Sequence, residues 1–87
     1  MAKVYIPALS RDLTGGQEIV TASGRTVRQL IADLERTYPG IQARLCAGDG
    51  LRSGLAVVVD TQVATLGLAT PVSENSEVHF LPAIGGG

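Results

Sequence analysis

The stretch TVRQLIADLERTY, residues 26–38, predicts the main helix of the chain and decides the fold. Thr26 with Gln29 three residues later matches the capping-box pattern, in which side chains satisfy the free amide groups of a helix start. Apolar residues recur at the spacing i, i+3, i+4, i+7, at Val27, Leu30, Ile31 and Leu34. Pro39-Gly40 ends the helix. A helix with a single apolar face must pack against a second layer.

Strands on both sides of this helix are expected to supply that layer. Lys3–Ala8 alternates in polarity, and Gln17–Thr21 is a second short β segment, so the two are predicted to form a hairpin across a polar, glycine-rich turn. The uninterrupted apolar run Leu55–Val59 is typical of a central strand. Glu77–Pro82 is the last strand, with Val78 and Phe80 on one side.

The remaining segments are predicted as shorter elements. Ile41–Ala47 is expected to form a helical turn, and residues 48–50 with 53–54 a flexible loop. Asp60-Thr61 is predicted to turn into a brief strand near Val63, and Thr70–Ser76 to be irregular. The order favours an α+β domain, a mixed four- to five-stranded sheet with one helix on one face.

The composition excludes several classes of function. With 87 residues and 45% apolar content, the chain suffices for one domain. An aromatic content of 3% favours tight aliphatic packing over a ligand-sized cavity, and the lack of such a cavity argues against an enzyme. A net charge of −1 with scattered Arg and Lys argues against nucleic acid as a partner.

Location follows from similar considerations. The single cysteine, Cys46, fits a reducing compartment, and we find neither a signal-like start nor an apolar run long enough for a bilayer. A cytoplasmic protein without membrane contact is expected. Cys46 and the lone His79 have no partners in the sequence that predict a nucleophile or a metal site.

The sequence ends in Gly85-Gly86-Gly87, which we interpret as a functional tail, residues 83–87, on a domain formed by residues 1–82. Without side chains, such a flexible tail fits a channel too narrow for other residues. Its one reactive group is the α-carboxylate of Gly87, ionised at neutral pH, which can attack the α-phosphate of ATP. No Walker-type loop is present, so ATP is expected on a partner and no cofactor on this chain. The alternative is a frayed terminus or a cloning remnant.

The ending from Phe80 to Gly87, with its Pro-x-x-x-Gly-Gly pattern, resembles that of the ubiquitin-like sulfur carriers, the molybdopterin-synthase small-subunit and thiamine-carrier family. The resemblance covers the whole chain. It implies a β-grasp fold and an ATP-dependent adenylyltransferase or sulfurtransferase that converts the carboxylate of Gly87 to a thiocarboxylate. Gly86 then gives the slim approach to that enzyme, and Gly85 is a spacer.

Several stretches are most similar to the actinobacterial carrier that feeds sulfur to cysteine synthesis. They are residues 14–17, 22–24, 33–35 and 38–41. The chain departs from the family at two turns, with Asp60-Thr61 where Asn-Gly is frequent and Asn75-Ser76 where Gly-Asp is frequent. These departures concern turn geometry and leave the tail chemistry untouched.

The resemblance also implies a docking surface for the activating enzyme. An exposed apolar patch is expected at Pro7, Val63 and Leu81, and Arg11 is expected to pair with an acidic patch on a partner. The segment that leads to the tail adds Pro82, Ile84 and Gly85 to the partner-binding residues.

Three functions remain open at this point. The first is a sulfur carrier that serves a cysteine synthase, a molybdopterin-synthase large subunit or another sulfur-accepting enzyme. The second is a ubiquitin-like modifier joined to lysines of target proteins, and the third is a purely structural subunit.

Overall fold

The computed structural model describes residues 1–82, which form one five-stranded mixed sheet with helices packed on one face. The sheet strands are β1 (Ala2–Tyr5), β2 (Ile19–Ala22), β5 (Leu55–Val59), β6 (Gln62–Val63) and β7 (Glu77–Pro82). The other elements are α1 (Val27–Thr37), α2 (Ile41–Leu45), the short strands β3 (Cys46–Ala47) and β4 (Gly50–Leu51), and 3₁₀ helices at Ala8–Thr14 and Gly67–Ala69. The strand order is β2-β1-β7-β5-β6, and only the β1–β7 pair is parallel.

The predicted helix and its cap are confirmed. The Thr26 hydroxyl accepts a hydrogen bond from the Gln29 amide at 3.2 Å, and the Gln29 side chain accepts one from the Arg25 amide at 2.8 Å. All four residues of the predicted apolar stripe are buried. The Thr26 hydroxyl thus satisfies one free amide of the helix start, and the Gln29 side chain holds Arg25, the residue before the cap. One face of α1 closes the core.

The core consists almost wholly of aliphatic side chains between α1 and the sheet, as the composition predicts. Val4 and Val78 at the middle of the sheet are fully buried, and Phe80 is the single aromatic ring among them. Burial of this apolar surface is the main source of stability for so small a domain. The helical prediction is confirmed for Ile41–Leu45, where Ile41 and Leu45 are buried, and is wrong for Cys46-Ala47, which form β3.

The segment between the first two strands differs from its predicted form. β1 ends at Tyr5 and not at Ala8, and a 3₁₀ helix follows Pro7. The strand cannot continue in the same way because Pro7 has no backbone N–H to donate to a neighbouring strand. Ser10 and Thr14 on this helix are buried. The Thr14 hydroxyl lies 2.8 Å from the Gln17 carbonyl oxygen and donates to it, so the segment is an ordered connection and not an open turn.

Two further predictions are wrong in detail. Leu55–Val59 lies inside the sheet between β7 and β6, as predicted, but it is not buried on both faces, because only Val57 of β5 is fully buried. The glycine-rich residues 48–50 are not an open loop, because β3 and β4 pair across them. Gly48 makes this tight turn possible with a φ of 62°.

The contact of Gly24 with α1 gives a test of the packing. A Cβ on Gly24 would lie 2.8 Å from both the Gln29 Cβ and the Leu30 backbone nitrogen. Gly24→Ala is therefore expected to push α1 off the sheet and lower the free energy of unfolding by about 1–3 kcal/mol. Chemical denaturation measures this change.

Gly50→Ala is the matched control, since a Cβ there meets open space and Gly50 has no positive φ. An equal loss of stability in the two variants would contradict the close approach of Gly24 to α1.

Candidate functional site

The face of the sheet opposite α1 carries a continuous row of side chains across all five strands. Cross-strand pairing places Ile19 beside Tyr5, Tyr5 beside His79, His79 beside Val58, and Val58 beside Val63. Residues paired in this way point to the same side of a sheet. We call this row, together with Leu81 on β7, the free face.

An aromatic stack stiffens the centre of the free face. The rings of Tyr5 and His79 lie 3.9 Å apart between centroids at an interplanar angle of 15°. The Nε2 atom of His79 is 3.9 Å from a carboxylate oxygen of Glu77 on the same strand. The faces of the two rings therefore pack against each other, and the stack fixes the position of both side chains at the centre of the free face.

The predicted patch residues fall in two places. Val63 and Leu81 are exposed, at 68% and 45%, and both belong to the free face, but β5 lies between their strands. Pro7 lies beyond the end of β1, half-buried, and adjoins Leu81 at the end of the sheet. The structure thus brings Pro7 and Leu81 together and places Val63 at the far edge.

A groove lies at the end of the sheet from which residues 83–87 continue. Because β1 and β7 are parallel and β5 is antiparallel to β7, the ends of β1 and β7 meet the start of β5 there. The groove has a volume of about 510 Å³, and Tyr5 and His79 make it continuous with the free face. We call it the exit groove; its apolar lining includes Pro7, Leu9, Leu55, Leu81 and Pro82.

Charged side chains border the exit groove. Arg11 donates from Nε to the Ile6 carbonyl oxygen at 3.1 Å, and another of its nitrogens lies 4.0 Å from a Glu18 carboxylate oxygen. Part of the Arg11 side chain therefore holds the chain segment after β1 in place. The predicted pairing of Arg11 with a partner would use its remaining guanidinium donors.

The sequence reasoning missed Leu9 and Leu55. The sequence predicts Leu55 only as part of a central strand, and Leu9 lies in the connection predicted as a polar turn. An apolar side chain within such a segment was the one signal that could have identified Leu9. The remaining predicted residues, Ile84, Gly85, Gly86 and Gly87, lie outside the described residues.

The turn that carries Val63 is braced by Asp60. Asp60 and Thr61 have φ values of 50° and 74°, the two left-handed residues of a tight hairpin turn between β5 and β6. The Asp60 carboxylate accepts hydrogen bonds from the Glu77 amide at 2.9 Å and the Ser76 hydroxyl at 2.7 Å. These two donors, the amide first, lower the pKa of Asp60.

Cys46 does not have the environment of a catalytic cysteine. Burial raises the pKa of the Cys46 thiol, and the charge of Arg28 opposes this only in part. Cys46 therefore lacks the lowered pKa of an activated nucleophile.

Within residues 1–82, no group of three His, Cys, Asp or Glu side chains could hold a metal ion. In the same residues, no helix is long and apolar enough to cross a membrane.

Asp60→Asn tests the brace through its pH dependence. A lowered pKa in the folded state stabilises the protein above the unfolded pKa of about 3.9, and this contribution is lost as the pH falls through the lower folded value. We therefore expect the variant to melt below the wild type at pH 7 and to approach it in strong acid. Thermal unfolding at a series of pH values measures the difference.

Asp49→Asn, an exposed change in the β3–β4 turn, serves as the control. A constant difference in melting temperature between Asp60→Asn and the wild type across the pH series would contradict the role of the carboxylate.

The whole chain is similar to known proteins. The model of the ThiS family matches residues 4–87. The chain is 38% identical to "Sulfur carrier protein CysO" of Mycobacterium tuberculosis and of Mycobacterium bovis, over 97% of this chain and 96% of theirs.

Solved structures give the same result. The Amycolatopsis orientalis BexX/CysO complex contains a chain with a TM-score of 0.90 and 35% identity over the full length of both chains. Mycobacterium tuberculosis CysO has a TM-score of 0.88 and 36% identity, with 97% of this chain and 100% of that one covered. Small archaeal modifier protein 1 of Methanosarcina acetivorans, 23% identical with a TM-score of 0.77 over 99% and 95% of the chains, is alike in fold alone. The predicted β-grasp fold is confirmed.

Proposed function

This chain belongs to the ThiS family, and from that premise we propose that Gly87 carries sulfur as a thiocarboxylate. The chain is a sulfur carrier and not an enzyme, since relatives that match almost its whole length are named as sulfur carriers. The full-length match, up to Gly87 itself, is the observation that supports the proposal.

The proposed chemistry has two steps. An oxygen of the Gly87 carboxylate attacks the α-phosphate of ATP, a P–O bond forms, and pyrophosphate leaves. A sulfur nucleophile at the oxidation level of sulfide then attacks the carbonyl carbon and displaces AMP, so that one carboxylate oxygen is replaced by sulfur. No electron transfer is needed in either step.

The ATP belongs to an activating enzyme, because the sequence has no Walker-type phosphate loop. We propose that this enzyme docks on the free face and takes the glycine tail into a narrow channel. Its contacts would include Val63, Leu81, Pro7, Arg11 and Pro82, and would continue along Ile84 and Gly85. Gly86, which lacks a Cβ, would pass the narrowest point.

The acceptor is proposed to be an enzyme of cysteine synthesis. The support is the 38% identity to the mycobacterial carriers, together with the four stretches that resemble the cysteine-synthesis carrier. A reducing cytoplasm is proposed as the location, because a thiocarboxylate is a thiol-like nucleophile and Cys46 is free.

Intact-mass measurement tests the thiocarboxylate directly. The carrier, an activating enzyme of the family, ATP and sulfide are expected to give a species in which one oxygen is replaced by sulfur. Deletion of Gly87 is expected to abolish that species, because the remaining carboxylate would lie one residue short of the reacting phosphate. Gly50→Ala, which keeps the tail intact, is expected to react as the wild type does.

If the carrier instead becomes attached to lysines, denaturing gels will show higher-mass conjugates and no thiocarboxylate. That outcome would favour a protein modifier and refute the proposal.

The free face has its own test in Leu81→Asp. A carboxylate placed in an apolar contact must lose water without gaining a partner, so we expect the KM of the activating enzyme for the carrier to rise about tenfold or more. The kcat should change little, because the tail is unaltered. Steady-state release of pyrophosphate measures both constants.

Ala32→Asp is the control, since Ala32 is exposed on α1 on the opposite side of the sheet. Equal effects of the two substitutions would contradict docking through the free face.

A further inference from the structure

Leu9 is the most exposed large apolar side chain of residues 1–82, with 89% of its surface accessible. A single exposed leucine is ordinary on a protein surface. Leu9, however, lines the exit groove together with Leu55 and Pro82. The groove is thus an apolar trough with one wall left open to water.

Arg44 on α2 holds the backbone of Leu9 in place. Its Nη1 donates to the Leu9 carbonyl oxygen at 2.9 Å, and its two terminal nitrogens each lie 3.1 Å from an oxygen of the Asp12 carboxylate. The hydrogen bonds to Arg44 lower the pKa of Asp12, so the pair stays charged at neutral pH. Because these hydrogen bonds already order the 3₁₀ helix, a partner that binds it does not have to order it first, which favours affinity.

The length of the tail limits how far away a partner can stand. Five residues, 83–87, separate Pro82 from the end of the sequence, and a fully extended chain of that length spans at most about 17 Å. An enzyme that reacts with the Gly87 carboxylate must bring the mouth of its channel within that distance of Pro82. Pro82 itself lines the exit groove, so the groove lies within reach of the rim of the channel.

We propose that the exit groove receives an apolar segment of the activating enzyme from the rim of its tail channel, with Leu9 as the anchor. This inference rests on the proposed function and adds a second contact beside the free face. The groove volume of about 510 Å³ suits several aliphatic side chains of a short segment. Arg11 and Glu18 at the border of the groove offer hydrogen-bonding groups to the backbone of that segment.

The test compares two exposed leucines. Leu9→Ser is expected to raise the Kd for the activating enzyme about tenfold, because the buried leucine surface is lost from the contact. Leu66→Ser, at a residue 63% exposed beyond the edge strand β6, is expected to leave the Kd unchanged. Leu9→Met should restore most of the affinity. Isothermal titration measures all four proteins.

Stability separates this contact from a folding defect. Both serine variants should unfold at the wild-type temperature, since neither leucine packs in the core. Both should also still form the thiocarboxylate at a high carrier concentration. Thiocarboxylate formation by the wild type together with an unchanged Kd for Leu9→Ser would refute the exit-groove contact and leave the sulfur-carrier function intact.

Methyl NMR of the free carrier identifies other occupants of the groove. A shift of the Leu9 methyl signals in the full-length Ile84→Ser variant would assign the groove to the tail of the same chain. A shift that depends on carrier concentration would assign it to a second copy. Either result overturns the proposal, whereas a Leu9 shift that appears only on addition of the activating enzyme supports it.

Discussion

The parallel pairing of β1 with β7 is the constraint on which the rest of the structure depends. It places Val4 beside Val78, both fully buried, and so joins the first and last strands at the centre of the sheet. Parallel strands end at the same edge, so the residues after β1 meet the residues that lead to the tail. The exit groove and the Tyr5–His79 stack are both direct consequences of this one pairing.

The elements that could be predicted from the sequence are those determined by neighbours along the chain. The cap at Thr26, the buried stripe of α1 and the bounds of β7 depend on local spacing, and all were predicted correctly. The partial exposure of β5 was not, because an uninterrupted apolar run does not tell which face of a strand is covered. β5 is apolar on both faces for two reasons: Val57 packs in the core, and Val58 contributes to the free face.

The candidate site shows the same division. The tail glycines were predicted from the sequence alone, since their proposed chemistry needs no fold around them, and they lie outside the described residues. The exit groove could not be predicted, because it combines three segments that only the strand order brings together. Leu9 is informative only once it is known to share a groove with Pro82 and Leu55. A groove that several distant segments form together therefore cannot be predicted from sequence motifs.

The free face and the tail place different demands on the same small domain. A tail that enters a narrow channel must be slim, whereas the surface that docks must be rigid, because ordering it at the moment of binding would weaken the complex. The fold meets the second demand with three fixed features: the Tyr5–His79 stack, the Asp60 brace and the Arg44–Leu9 hydrogen bond. Each fixes part of the free face or of the exit groove through contacts within the domain. In the proposed function, contacts with these surfaces supply the affinity for the activating enzyme, and the tail supplies the reacting group.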